Sequence, residues 1–373
     1  MSVAWSINVA KERTMAMDGQ HKAARLADVA KAAGVSQGTV SNVFNRPSVV
    51  REEVRQHVHT VAQTLGYRGP DPKGRLLRAG KFNAIGVATA EPLSYFFEDP
   101  FARVLMQGMS EACDAHGAGL SLVSAQNSER LAWNIESALV DGFVLLCIEG
   151  GERLVELTRE RQLPFIALAL GKSDETVSAI GIDDYAGAKL AATHLAELGH
   201  ERFGMLAIEY AENHFGPVTM ADVDAALYST SRDRTYGYLA ALKQFGIDTS
   251  RIPIFETQNE PTSVAVGLEY MFARGERPTA LLCMSDRVAL ITLEWLKARG
   301  IKVPGDISVV GFDGVPEAAQ SNPILTTIAQ PIAEIGRRAI EAIMKYDGAV
   351  HRETLPVELV VGGSTARVPL RTW

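Results

Sequence analysis

Between Ser36 and Asn45 the chain gathers Ser36, Gln37, Gly38, Thr39, Ser41, Asn42 and Asn45, a run of amides and hydroxyls with no charged side chain. Groups of this kind break no bonds. They hydrogen-bond to base edges and phosphates. Val40 and Val43 fall three apart in the same run, so on a helix they face inward and the polar residues share the outer face. Ser36 supplies an N-cap hydroxyl for that helix. Upstream, Leu26, Val29, Ala30 and Ala33 recur at helical spacing, and Gly34 follows where a helix ends and the backbone needs positive φ. Two short helices joined by a tight turn form the helix-turn-helix, whose second helix enters the major groove. The alternative is an ordinary helical hairpin with a solvated outer face. A third helix is expected over Arg51 to Leu65, with Val54, Val58, Val61, Ala62 and Leu65 facing the first two; His57 and His59 on it read as solvated.

Charge is distributed in keeping with a nucleic-acid partner. The 373 residues carry a net charge of −7, yet residues 1–82 hold 13 Lys/Arg against 6 Asp/Glu and the remainder 24 against 38. A basic module on an acidic body is what phosphate binding by one end requires. The length accommodates a small module plus a two-lobed core. Hydrophobic residues make up 47% of the chain, without the run of about 18 apolar residues a membrane span needs. Lys11, Glu12, Arg13 and Asp18 interrupt the first twenty residues, which argues against a signal peptide and for the cytoplasm. Cys113, Cys147 and Cys283 stand singly in apolar surroundings and are expected to be reduced core residues, not metal ligands.

From Asn83 onward, short apolar runs alternate with helical segments. The first series is Asn83–Thr89, Pro100–His116, Leu120–Ser124, Glu129–Val140, Phe143–Cys147, Arg153–Gln162 and Phe165–Leu168. The second is Ala186–Leu198, Phe203–Ile208, Arg234–Phe245, Ile252–Phe255, Ser263–Ala273, Ala280–Met284, Asp286–Arg299 and Ile307–Phe312. Strands separated by helices imply parallel sheets covered on both faces, and two series imply two doubly wound lobes. Ligands of such folds bind beyond the carboxyl ends of strands. Glu91, Ser285, Asp286 and Asp313 stand at such ends.

Several segments in order resemble the LacI/GalR family of bacterial transcription regulators. They are Leu26–Asn45, Gly66-Tyr67-Arg68, Leu77-Arg78-Ala79-Gly80-Lys81, Ala84-Ile85-Gly86-Val87 and Asp99-Pro100-Phe101, which is similar to the family's Asn-Pro-Phe. His194-Leu195 with Leu198-Gly199-His200, the run from Val303 to Asp313, and Leu325-Thr326-Thr327-Ile328 continue the likeness nearly to the end. The resemblance implies an α/β protein: an all-α helix-turn-helix headpiece and a two-lobed, periplasmic-binding-protein-like core of doubly wound parallel sheets. The expected division is a flexible extension over 1–22, a headpiece over 23–69, a hinge over 70–82 and a core over 83–373. Lobe 1 would comprise about 83–181 and 330–354, lobe 2 about 182–329 and 355–366.

The resemblance also assigns roles. Gln37 and Asn42 would read bases, while Ser36, Thr39, Ser41 and Asn45 contact phosphates. Gly38 stands where family members often carry a longer side chain and Asn42 where they carry an arginine, so a different or less tightly read operator is expected. In the hinge a short helix from Pro72 to Arg78 would pair with its dimer mate on DNA, Leu77 wedging into the minor groove and Arg75 and Arg78 meeting phosphates. The hinge is one residue longer than the family pattern, which leaves Leu76 as the alternative wedge. In the core, Phe101 and Arg234 match the family's pocket aromatic and effector-directed arginine. With Glu91, Ser285, Asp286 and Asp313 they suit a small polyhydroxylated ligand, a sugar or nucleoside. Structural ion pairs are the alternative for Arg234 and Asp313, and a first-turn acidic residue for Asp286. The long loop 91–98, with Tyr95, Phe96 and Phe97, would line the pocket or pack at a dimer interface. Segment 209–231 also departs from the family pattern.

The partners expected are therefore a pseudo-palindromic double-stranded DNA operator, a small effector and a second copy of the chain. No leucine heptads follow Gly362, which favours a homodimer over a dimer of dimers. No cofactor, metal or membrane partner is expected, and no Gly-x-Ser-x-Gly, GxxxxGK[ST] or His-Glu-x-x-His occurs. A transport-type sugar-binding protein and an enzyme of sugar or nucleoside metabolism are the competing readings.

Overall fold

The computed structural model describes residues 24–69, 80–146, 152–168, 175–211, 214–273 and 277–368. The extension 1–22, Cys147 and the hinge residues Arg75, Leu76, Leu77 and Arg78 lie outside them. The chain divides into two compact units, 1–82 and 83–373.

In the first unit, helices α1 (Leu26–Ala32), α2 (Gln37–Asn45) and α3 (Glu52–Thr64) enclose Val29, Ala30, Ala33, Val40, Val43, Val58 and Ala62. Gly34 takes a φ of +65°, and the Ser36 hydroxyl accepts the Thr39 N–H at 3.0 Å, so the turn and the cap form as their residue types dictate. Leu65 does not join this core. It is the C-cap after the last residue of α3, 39% exposed, and the inward face of the helix ends at Ala62. His57 and His59 are exposed, as expected, although His57 Nε2 lies 3.2 Å from the Ala33 carbonyl and His59 meets Phe44 edge-on.

The second unit begins with β1 (Ala84–Thr89), α4 (Tyr95–Glu98), α5 (Pro100–His116), β2 (Gly119–Ser124), α6 (Ser128–Ser137), β3 (Gly142–Leu146), α7 (Glu152–Glu160), β4 (Phe165–Leu168) and β5 (Ala179–Ile182). It continues with α8 (Asp184–Glu197), β6 (Phe203–Ala207), β7 (Gly216–Val218), α9 (Met220–Asp224), α10 (Ser229–Gln244), β8 (Ile254–Glu256), α11 (Pro261–Phe272) and β9 (Ala280–Cys283). The remainder is α12 (Asp286–Ala298), β10 (Ser308–Asp313), α13 (Pro316–Gln320), β11 (Thr326–Ala329), α14 (Ile332–Met344), β12 (Arg352–Leu355) and β13 (Glu358–Val360).

Two sheets result, ordered β12-β5-β4-β3-β1-β2 and β13-β11-β10-β9-β6-β8-β7. The first is parallel throughout. The second is parallel only in its interior, because β7 and β13 pair antiparallel at its two edges. That departs from the expectation of purely parallel sheets. The chain passes from the first sheet to the second after Ile182, returns after Ala329 and leaves again after Leu355.

Alternation explains why the strands read as continuous apolar runs. Val144 and Leu146 of β3 join one core cluster while Phe143 and Leu145 join the cluster on the opposite face; in β9, Leu281 and Cys283 part from Ala280 and Leu282 in the same way. Helices α5 and α14 approach closely where each carries a glycine: a Cβ on Gly108 would stand 1.9 Å from the Ala333 carbonyl, and one on Gly336 2.4 Å from that of Leu105. Both segments that depart from the family pattern contain structure of their own, namely α4 within 91–98 and β7 with α9 within 209–231. Cys113 and Cys283 are buried and free, their thiols pushed up by burial to about 11 and about 12, too high for nucleophiles. Among the described residues no helix is long and apolar enough to cross a membrane, and no cluster of His, Cys, Asp and Glu could hold a metal ion.

Candidate functional site

Two regions concentrate polar groups. The first is the outer face of α2. Ser36, Gln37, Gly38, Asn42 and Asn45 are exposed, and Thr39 and Ser41 are half-buried. Local bonds already occupy part of this set: the Ser36 and Thr39 hydroxyls lie 2.9 Å apart, and the Asn45 amide donates to the Ser41 hydroxyl at 3.1 Å. Gln37 and Asn42 make no side-chain hydrogen bond among the described residues, so both amides are left for an outside partner. A Cβ on Gly38 would meet only the Ser36 hydroxyl, at 3.6 Å, so the backbone here has room for a longer side chain.

The second region is a cavity of about 560 Å³ in the second unit, lined from both sheets. Arg234, on the first turns of α10, is 4% exposed. Its Nε donates to Asp184 at 2.8 Å, its Nη1 donates to the Met284 carbonyl and stands 3.7 Å from Asp313, and its guanidinium lies over the Phe312 ring. Burial opposes its charge, and Asp184 and Asp313 more than restore it. Asp313 holds a φ of 126°, rare for a residue with a side chain. Burial raises its carboxyl well above the usual range against the pull of Arg234, with Asp286 and Asp99 adding to the rise. Gln330 donates to it at 2.9 Å.

Asp286, expected in the pocket, is not in its lining. Its carboxylate lies behind the turn that follows β10, accepting Gly314 N–H at 2.7 Å, Val315 N–H at 2.9 Å and the Thr327 hydroxyl at 2.5 Å. Burial raises it to about 6. Asp286 therefore holds Asp313 in its strained conformation and contacts no cavity space. Glu91, Phe101, Arg234, Ser285 and Asp313 all line the cavity. Burial raises the Glu91 carboxyl, with Asp99 contributing. The three neighbouring aromatics separate: Tyr95 lines the cavity, Phe96 is buried in the core and Phe97 is 70% exposed.

Asp99 has a second role that its place in the sequence does not suggest. One oxygen caps α5, accepting Phe101 and Ala102 N–H at 2.9 and 3.2 Å. The other accepts Asn259 at 3.1 Å and Arg287 at 3.4 Å, both carried on elements of the second sheet's layer. Asn259, with a φ of 54°, also accepts the Ser285 hydroxyl at 2.9 Å. This bridge runs across the cavity between the lobes. Asp184, Asn259 and Gln330 follow β5, β8 and β11 by a few residues, so the rule that ligands lie beyond carboxyl ends points to them as it did to Ser285. Ser229, Ser231 and Arg352 carry no such signal.

Comparison with known proteins agrees with this architecture. Residues 25–69 match the bacterial regulatory proteins of the lacI family, and residues 192–365 match a periplasmic binding protein-like domain. The chain is 37% identical to the HTH-type transcriptional regulator Rv3575c of Mycobacterium tuberculosis, over 91% of this chain and 96% of that one. It is 28% identical to the HTH-type transcriptional repressor PurR of Aliivibrio salmonicida, over 88% and 94% of the two chains. The crystal structure of a LacI family transcriptional regulator from Corynebacterium glutamicum superposes with a TM-score of 0.70 at 29% identity, over 91% of this chain and 98% of that one. With the capped helix-turn-helix, the two-lobed core and a relative this similar along its whole length, the chain belongs to the LacI family of DNA-binding bacterial transcriptional regulators.

Proposed function

We propose that this protein is a repressor whose affinity for a pseudo-palindromic operator is set by a small polar effector, a sugar or nucleoside, in the cleft of its core. The observation that carries this reading is the pairing, in one chain, of unengaged Gln37 and Asn42 on a capped recognition helix with a cleft built around the buried Arg234 cluster. The similarity to a protein named a repressor favours repression. A homodimer presents two headpieces, each half-site read by Gln37 and Asn42 and fixed by phosphate contacts from Ser36, Thr39, Ser41 and Asn45. Gln and Asn suit the N6/N7 edge of adenine.

Effector binding changes the closure between lobes, and the hinge transmits the change to operator affinity. Such coupling is reciprocal and typically about 1–3 kcal/mol. In the hinge, Arg75→Ala or Arg78→Ala is expected to lower the salt slope of DNA binding by about one unit each. Leu77→Ala should instead reduce operator bending and leave that slope unchanged. No catalytic step enters this reading. The deciding experiment selects DNA sites from a random library with the purified protein. It then measures gel-shift affinity with and without added sugars and nucleosides, and molecular mass by sedimentation. Absence of any sequence preference, or a stable monomer at micromolar concentration, would refute the proposal.

A further inference from the structure

His194 and His200 belong to a segment that neither the polar face of α2 nor the cleft uses. His194 lies in the last turn of α8 and His200 just beyond its end. Both meet the same piece of chain, residues 362–368, which forms no helix or strand. His194 Nε2 lies 2.9 Å from the Thr365 hydroxyl. His200 Nε2 lies 3.0 Å from the Ala366 carbonyl and its Nδ1 3.0 Å from the Thr279 hydroxyl. The remaining ties of the segment are neutral bonds to lobe 2. The Ala366 N–H donates to the Ser308 hydroxyl at 3.1 Å, and the Val368 N–H donates to the Leu198 carbonyl at 3.1 Å.

A carbonyl only accepts, so Nε2 of His200 carries the proton that Ala366 receives, and Nδ1 of the neutral ring accepts from Thr279. A second proton, on Nδ1, takes that acceptor away and places a charge on a buried ring. The charged groups facing the two rings are Glu197, toward His194, and His194 itself, toward His200. Burial holds both rings below the ordinary value of 6.5; Glu197 opposes this at His194, and at His200 the Ala366 carbonyl opposes it while His194 adds to it. The third passage of the chain between the lobes, after Leu355, ends in this segment, and ahead of it β13 gives only three residue pairs with β11. We propose that residues 362–368 form a proton-operated strap: acid releases them from His194 and His200 while the rest of lobe 2 stays folded, and the third passage is then held in lobe 2 by β13 alone.

Hydrogen exchange of the full chain tests this, read at the Ala366 and Val368 amides at about pH 7.5 and about pH 5.5 and corrected for the intrinsic effect of pH on exchange. A ring that is neutral under the strap and titrates near 6.5 once released favours opening by up to about tenfold at pH 5.5. With two rings, protection of the strap amides should fall about three- to thirtyfold. These amides should also exchange faster than those of Met205 and Leu282, inside the second sheet, at both pH values. His194→Gln should reduce the fall, and His194→Gln with His200→Gln should abolish it. Protection that does not change with pH in the wild type overturns the proposal, as does an undiminished fall in a folded double variant. Protection equal to that of Met205 and Leu282 would mean that the strap leaves only when the whole lobe unfolds, and overturns it too.

Discussion

The outer face of α2 and the cleft of the core are both polar, but they hold their polar groups in opposite ways. On α2 the amides of Gln37 and Asn42 stand in solvent on a small apolar framework, uncharged and unengaged. In the cleft, Arg234 and Asp313 are buried and Asp184 is half-buried, and the arginine lies between the two carboxylates. An exposed amide costs little to display and can be exchanged without disturbing the fold, which suits a surface that evolves to read different sequences. A buried ion cluster is fixed by mutual dependence, because removing one member strands the rest. The first region is a surface that presents side chains, the second a frame that positions them.

The sharpest way to break this contrast is Arg234→Ala. It takes the counter-ion from the buried Asp313 and the half-buried Asp184, and about 3–5 kcal/mol of stability should be lost in urea denaturation, together with the response to effector. A loss below about 1 kcal/mol would mean that the cluster is relieved by water and is no frame. Asn42→Ala, in the other region, should cost about 1–3 kcal/mol in operator affinity, confined to one base position per half-site. Its effect on folding should stay within about 0.5 kcal/mol, as for exposed residues generally. Uniform weakening on all DNA sequences would make Asn42 a phosphate contact.

A subtler change sharpens the picture of the cleft. Asp99→Asn keeps an oxygen to cap α5 but turns its amide N–H groups towards the donors Asn259 and Arg287, so both bonds of the bridge are lost, and about 1 kcal/mol of stability should go with them. Small-angle scattering should show a slightly more open core; unchanged dimensions would mean that the Asp99 bridge does not hold the lobes. The smallest effect concerns pH. His200 is buried, with Nε2 3.0 Å from the Ala366 carbonyl and Nδ1 3.0 Å from the Thr279 hydroxyl, and burial holds it below its ordinary value of 6.5. The unfolded chain therefore takes up the proton first. The stability contributed by the neutral ring is complete above pH 6.5 and declines as the pH falls through that value towards the lower value of the folded state. Denaturation at about pH 7.5 and about pH 5.5 should show this decline in the wild type, and a smaller one in His200→Gln. An equal decline in both would assign it to other groups.

Much of this is legible in the chain alone. The turn at Gly34, the cap at Ser36 and the inward valines of α2 depend on neighbours within a helical turn, and each lies where its residue type directs. The limits of α5 follow from Asp99-Pro100 at one end and Gly117, with a φ of +66°, at the other. Glu91, Ser285 and Asp313 could be placed because doubly wound sheets put ligands beyond strand ends. The antiparallel edges β7 and β13 could not, since edge pairing depends on which distant strand is left without a partner. For the same reason Tyr95, Phe96 and Phe97, alike in kind by sequence, divide among cavity, core and solvent.

Helix periodicity, capping and strand alternation are short-range and additive, so the elements, the two-part plan and the polar face of α2 follow from the residues alone. The packing of distant residues decides that Asp286 supports Asp313 instead of facing the cavity and that Asp99 joins the two lobes through Asn259 and Arg287. Burial and electrostatic pairing are properties of residues brought together from 27 to 188 positions apart, and no local pattern encodes which of several carboxylates will be matched.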